Sequence, residues 1–146
     1  MTNERLEQTI IRPATAADAK TIRQMVWQEH LDPTSLKWEN FLVAEHEGNI
    51  VAIGQIKQYP GCEELGSLIT DESYRGQGLG GQVIAALEAR AGRPLYLLCA
   101  AKMERFYQRF GYETITWWQA PTFLKLKLAP TIVFVPFGIR VLVMRK

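Results

Sequence analysis

"SYRGQGLGGQVIAALEARAG", residues 73–92, packs four glycines into the positions from Gly76 to Gly81 and then runs into an apolar helical pattern. Leu79, Val83, Ile84 and Leu87 recur at helical spacing, and Gly92 with Pro94 stops the helix. Glycine costs backbone entropy wherever it is ordered, so the turn is the feature that needs a reason. Gly76, Gly78 and Gly81 fit the dinucleotide pattern G-x-G-x-x-G, but its surroundings are wrong. That unit needs the glycines tight against a strand and an acidic residue about 20 positions on. Here "DESYR" intervenes, and the next strand ends at Cys99-Ala100 without a carboxylate. A P-loop fails as well, because no Gly-Lys-Ser/Thr follows.

A pyrophosphate cradle suits the stretch better. Residues without Cβ let backbone N–H groups turn toward one anion, and the helix N-terminus adds partial positive charge. Arg75 stands at the rim as a further cation. The competing use of the glycines is a tight packing turn without a ligand.

Upstream, "TIIRPAT" reads as a first strand closed by Pro13, and Thr15 with Asp18 makes a capping-box start for a helix through about Glu29. "FLVAEHEGNIVAIGQIKQY" is a β-hairpin turning at Glu47-Gly48-Asn49. "CEELGSLIT" follows as a strand, with Glu64, Gly66, Leu68 and Thr70 on one face by the two-residue period. Downstream, "LYLLCA" is a buried strand and "AKMERFYQRF" an amphipathic helix, its inner stripe Met103, Phe106, Tyr107 and Phe110, capped by Gly111. "YETITWW" resumes strand character. "APTFLKLKLAP" alternates like a strand yet opens with a proline that suits a helix start, so both readings stand. "GIRVLVMRK" reads as the last strand. The order of elements defines a mixed α+β, α/β-type chain, expected as one domain over residues 1–146.

The totals set limits. The 146 residues are 47% hydrophobic and 22% charged with a formal charge of +2, which calls for no nucleic-acid partner. Cys62 and Cys99 form no C-x-x-C pair, so neither a zinc site nor a disulfide framework is expected, and no metal is. The polar start lacks a secretory signal, and the apolar run Leu128–Ile139 is too short to span a bilayer. A cytoplasmic chain without membrane association is the expectation.

"LITDESYRGQGLG" resembles the acetyl-CoA signature of the GNAT acetyltransferases, Q/R-x-x-G-x-G/A, with Arg75, Gly78 and Gly80 at its three fixed places. "ERFYQRFGY" resembles the family's F/L-Y-x-x-x-G-F/Y segment, and "RPATAADAKTI" its opening strand and helix. The likeness covers most of residues 9 to 115. It implies the acyl-CoA N-acyltransferase fold: a central, mostly antiparallel mixed sheet of about six or seven strands flanked by about four helices. It implies acetyl-CoA as cosubstrate, its pantetheine arm along Leu68, Ile69 and Thr70. The diphosphate would lie on the turn of Arg75, Gly76, Gln77, Gly78, Leu79, Gly80 and Gly81. Where many members carry an asparagine seven residues before the helix tyrosine, this chain has Ala100, so that contact is missing.

Acetyl transfer to an amine needs a proton acceptor, because an alkyl amine near pKa 10.4 is almost wholly protonated at neutral pH. By resemblance Glu64 is the base, with Glu63 its rival, since a one-residue register change exchanges the faces. An ordinary glutamate near 4.3 would take that proton roughly 8 kcal/mol uphill, so apolar surroundings or a water chain are expected around it. Tyr107 corresponds to the tyrosine that protonates or hydrogen-bonds the departing sulfur, and it also fits the core. Backbone N–H groups near Ile69-Thr70 would polarise the thioester. A covalent route through Cys99 has no visible base beside it.

By family geometry the acceptor pocket is walled by residues around Leu31–Trp38, Tyr59, and residues 116–138. Trp117 and Trp118, as neighbours on a strand, would face opposite ways, and core or homodimer packing competes with a pocket role. The "FLKLKL" lysines suggest at most weak surface attraction. His30 and His46 read as surface residues. The expected function is acetyl-CoA-dependent N-acetylation of a small-molecule or peptide amine by direct attack. The alternatives are a non-catalytic acyl-CoA-binding module of the same fold, or a partner-binding protein using the tryptophan and leucine-lysine segment.

Overall fold

The computed structural model describes residues 2–130 and 140–146. In chain order the elements are α1 (Thr2–Glu7), β1 (Ile10–Pro13), α2 (Ala19–Gln28), β2 (Phe41–His46), β3 (Asn49–Tyr59), β4 (Cys62–Thr70) and α3 (Leu79–Glu88). They continue with β5 (Leu95–Ala100), α4 (Glu104–Gln108), β6 (Glu113–Ile115), α5 (Thr122–Leu128) and β7 (Val141–Arg145). Seven strands form a sheet in the order β1-β2-β3-β4-β5-β7-β6. It is mixed and mostly antiparallel, with β4 and β5 parallel. The sheet and the five helices among the described residues are the expected α+β architecture, with α1 and α5 added to the helices read from the sequence. The chain divides into two compact units, residues 1–57 with 66–91 and residues 58–65 with 92–146.

In the first unit, the β2–β3 hairpin turns at Glu47 and Gly48, both with positive φ (51° and 79°), the twist that two-residue hairpins favour. Phe41, Val43 and Ile53 from the hairpin, Ile69 from β4, and Ile22 and Val26 from α2 form one buried cluster. The entry to α2 is held as its capping-box signature predicts. Asp18 accepts from the Thr15 N–H at 2.7 Å, and Arg12 binds both Asp18 at 2.8 Å and Glu45 at 2.6 Å. The Arg12 hydrogen bond holds the Asp18 carboxyl below its ordinary range. The apolar stripe of α3 is buried at Leu79, Val83, Ile84 and Leu87. It comes close to β3, since a Cβ on Gly54 would lie 2.7 Å from Leu87 Cδ1 and 3.1 Å from Val83 Cγ1.

The two-residue period expected for β4 does not hold throughout. Ser67 has φ 51°, so the strand departs from extended geometry there, and Glu64–Leu65 are both buried in succession. A non-glycine residue in the left-handed region interrupts alternation, and Glu64 and Leu68 cannot be assigned one face by counting.

The second unit is built on β5, β7 and β6, whose Tyr96, Ile115 and Val143 are buried with Ala120, Leu124 and Leu128. Trp117–Gln119 is a 3-10 turn rather than strand, closed by the Thr116 N–H donating to Gln119 Oε1 at 2.9 Å. Trp117 packs on the buried cluster, whereas Trp118 is 83% exposed. "FLKLKL" is helical. A strand would place Leu124, Leu126 and Leu128 on one face, but Leu124 and Leu128 are buried and Leu126 is 70% exposed, the one-turn spacing of a helix. Residues 131–138, expected to wall the acceptor pocket, lie outside the described residues.

Candidate active site

The signature turn belongs to the first unit and begins where β4 ends. Asp71 Oδ1 accepts from the Ser73 N–H at 3.0 Å and the Ser73 hydroxyl at 2.7 Å, turning the chain through a 3-10 segment at Glu72–Tyr74. Gly76 (φ 75°) and Gly78 (φ 88°) then adopt left-handed geometry, and Gly78 caps α3. A Cβ at either glycine would meet nothing within 4 Å. Their glycine identity therefore answers to backbone dihedral, and the space beside them is open. The first helical bond of α3 runs from the Gln82 N–H to the Gly78 carbonyl. The amides of Leu79, Gly80 and Gly81 thus precede the helical ladder, at the end carrying the positive dipole charge. Backbone donors gathered at a helix N-terminus in this way can face an anion.

Arg75, directly before the first glycine, braces the turn. Its Nε donates to the Thr70 carbonyl at 2.9 Å and its Nη2 pairs with Glu29 at 2.9 Å. The guanidinium ties the end of β4 to the turn, and both partners of the pair are about half exposed. Gln77 Nε2 donates to the Ser73 carbonyl at 3.1 Å, a second tie within the turn. Of the strand-end residues, Ile69 is buried while Leu68 and Thr70 are partly exposed.

Glu64 lies in the second unit and is only 3% exposed. Lys127, from α5, approaches its carboxylate with Nζ 3.0 Å from Oε2 and 3.4 Å from Oε1. The same ammonium donates to Tyr59 Oη at 2.9 Å and lies 5.3 Å from that ring's centre. Tyr59 in turn stacks on Phe123 with centroids 4.4 Å apart, and burial pushes its phenol up. The polar contact of Glu64 is thus a cation that is itself held by a phenol. Glu63 has another setting: its two oxygens accept from Gln58 Nε2 at 2.7 Å and the Gly92 N–H at 2.9 Å, bracing exposed chain. Lys127 was invisible to spacing rules because it meets Glu64 across 63 positions of sequence.

Tyr107, on α4, is 8% exposed among Phe106 and Tyr112, whose rings meet it edge-on at 5.0 and 6.1 Å. Burial, with a contribution from Cys99, pushes its phenol up to about 12. Cys99 contacts Met144 at 3.7 Å, and burial pushes its thiol up to about 11. A thiol held protonated this firmly is a poor nucleophile at neutral pH. Ala100 is exposed and offers no polar side chain.

His46 departs from the surface role expected of it. It is 7% exposed, with Nδ1 2.6 Å from Tyr74 Oη. A cavity of about 500 Å³ opens beside the pair, lined also by Glu4, Arg5 and Gln8. Among the described residues, no three His, Cys, Asp or Glu side chains gather as metal ligands. No helix among them is long and apolar enough to cross a membrane.

An acetyltransferase (GNAT) domain model matches residues 37–114, more than half of the chain. The chain belongs to the GNAT acetyltransferase family. Similar solved structures carry the same fold. N-acetylglutamate synthase from Neisseria gonorrhoeae, complexed with coenzyme A and N-acetyl-glutamate, superposes with TM-score 0.75 at 18% identity over 94% of this chain. The match spans 35% of that synthase, about a third of its length. Rv2747 from Mycobacterium tuberculosis, in complex with CoA, matches with TM-score 0.74 and 18% identity over 93% of this chain and 97% of its own. An acyl-CoA N-acyltransferase from Pseudomonas aeruginosa matches with TM-score 0.65 and 20% identity over 94% and 97% of the two chains. No curated protein sequence matches the chain.

Proposed function

We propose that this chain, acting as one acetyltransferase domain, transfers acetyl from acetyl-CoA to a small-molecule or peptide amine by direct attack on the thioester. The observation that carries the reading is the turn itself. Two left-handed glycines open the backbone at the start of α3, and open space lies where their side chains would be. The diphosphate binds there, on the amides of Gly78 to Gly81, with Arg75 keeping the turn in register. Neighbours of the same fold are described as complexed with coenzyme A, which supports this use.

Glu64 accepts the proton that the attacking amine releases, and Tyr59 and Lys127 fix its carboxylate in one orientation. Tyr107 assists departure of the thiol by donating a hydrogen bond. Its phenol near 12 facing a thiol near 8.5 makes full proton transfer roughly 5 kcal/mol uphill, so donation is the role that costs little. The Cys99 thiol takes no covalent part. Cys62 and Cys99 are both free, which suits the cytoplasm.

Glu64→Gln and Tyr107→Phe test the assignment, read as free-thiol release over a panel of amines. Each is expected to lower turnover, on the order of 100-fold for the base, while acetyl-CoA affinity stays within a few-fold. Acetyl-CoA binding by the wild-type chain without thiol release from any amine would instead point to a non-catalytic acyl-CoA-binding module.

A further inference from the structure

The Lys127 ammonium meets the Glu64 carboxylate as a primary amine meets a general base. Its Nζ lies 3.0 Å from Oε2, within the reach of a general base for the proton it takes. Tyr59 adds an oxygen at 2.9 Å and an aromatic face at 5.3 Å, so the primary amine is both oriented and shielded. The lysine is delivered by α5, which is anchored through the buried Leu124 and Leu128. Its side chain keeps 21% exposure against 4% for Glu64, so the amine is the reachable member of the pair.

We propose that Lys127 is itself an acetyl acceptor, and that the chain acetylates this residue from acetyl-CoA. The proposal rests on the acetyltransferase reading with Glu64 as base. The Lys127 ammonium gives one proton to Glu64, and its lone pair forms the N–C bond to the acetyl carbonyl carbon. The C–S bond breaks, its electron pair leaves on the CoA sulfur, and that sulfur takes up a proton. The products are Nε-acetyl-Lys127, the CoA thiol and one proton to solvent, with no further reactant. Acetylation removes the charge that pairs with Glu64 and leaves the amide N–H as a single donor toward Glu64 or Tyr59.

The purified full chain is incubated with acetyl-CoA and followed by intact mass and peptide mapping, beside Glu64→Gln and Lys127→Arg. The expected result is one acetyl group at Lys127, added at a rate independent of protein concentration. It is lost in Lys127→Arg and slowed at least tenfold in Glu64→Gln. Calorimetric binding of acetyl-CoA and thiol release with external amines, but no acetyl on Lys127, overturns this inference alone. Acetylation of Lys127 no faster than that of the exposed Lys20 and Lys37 overturns it too, because that is uncatalysed chemistry. Absence of acetyl-CoA binding overturns both the inference and the reading beneath it. If either variant fails to fold, the wild-type map and its comparison with Lys20 and Lys37 still decide.

Discussion

Tyr107 combines a catalytic proposal with a measurable physical signature. Its phenol holds its proton up to about 12, whereas an unfolded tyrosine releases it near 10. Between those values the folded chain binds more protons than the unfolded one, so stability falls as pH rises through that window. The contribution is fully present below about pH 10 and amounts to about 2 to 3 kcal/mol lost by pH 12. Tyr107→Phe is expected to show a correspondingly shallower decline in urea midpoint over that range. The same slope in both proteins would contradict the burial assigned to this phenol. Glu64 shows where reading residues one at a time stops. Its position and its rivalry with Glu63 follow from a strand, but which of the two meets a cation depends on α5, 63 positions away. His46 departs from its local context for a related reason: its charged neighbours Glu45 and Glu47 suggest a surface, while its partner Tyr74 comes from 28 positions away.

Elements with a strong local period were legible, and those decided by packing were not. The hairpin has its turn residues, and α3 its apolar stripe, in adjacent sequence. For α5 the alternating leucines matched strand and helix alike, and only the burial of Leu124 and Leu128 against β5, β6 and β7 distinguishes them. The departure at Ser67 has no sequence mark either, because serine at φ 51° is held by its surroundings, including the Gln55 amide that donates to its hydroxyl at 2.9 Å. The contact of β3 with α3 makes the sharpest prediction at this scale. Gly54→Ala places a methyl 2.7 Å from Leu87 Cδ1 and 3.3 Å from Leu68 Cδ1, beside fully buried α3 side chains. It is expected to cost about 1 to 3 kcal/mol, read from chemical denaturation. An unchanged midpoint would mean that the strand and helix are less closely packed than described.

For the molecule as a whole, the family was legible because its two motifs are local and stand at a fixed separation. The amine acceptor is not written in either motif. The residues proposed for its side of the chemistry, Tyr59, Glu64 and Lys127, meet only on folding. The proposed activity depends first on the turn as a diphosphate cradle. Its most direct test is calorimetric titration with acetyl-CoA of the wild-type chain beside a Gly78→Val/Gly80→Val variant, folding of both being checked by circular dichroism. Saturable binding at one site per chain is expected in the wild type, and at least tenfold weaker binding in the folded variant. No binding by the folded wild type, or equal binding by both, would contradict the proposed cradle and return the glycines to a packing turn.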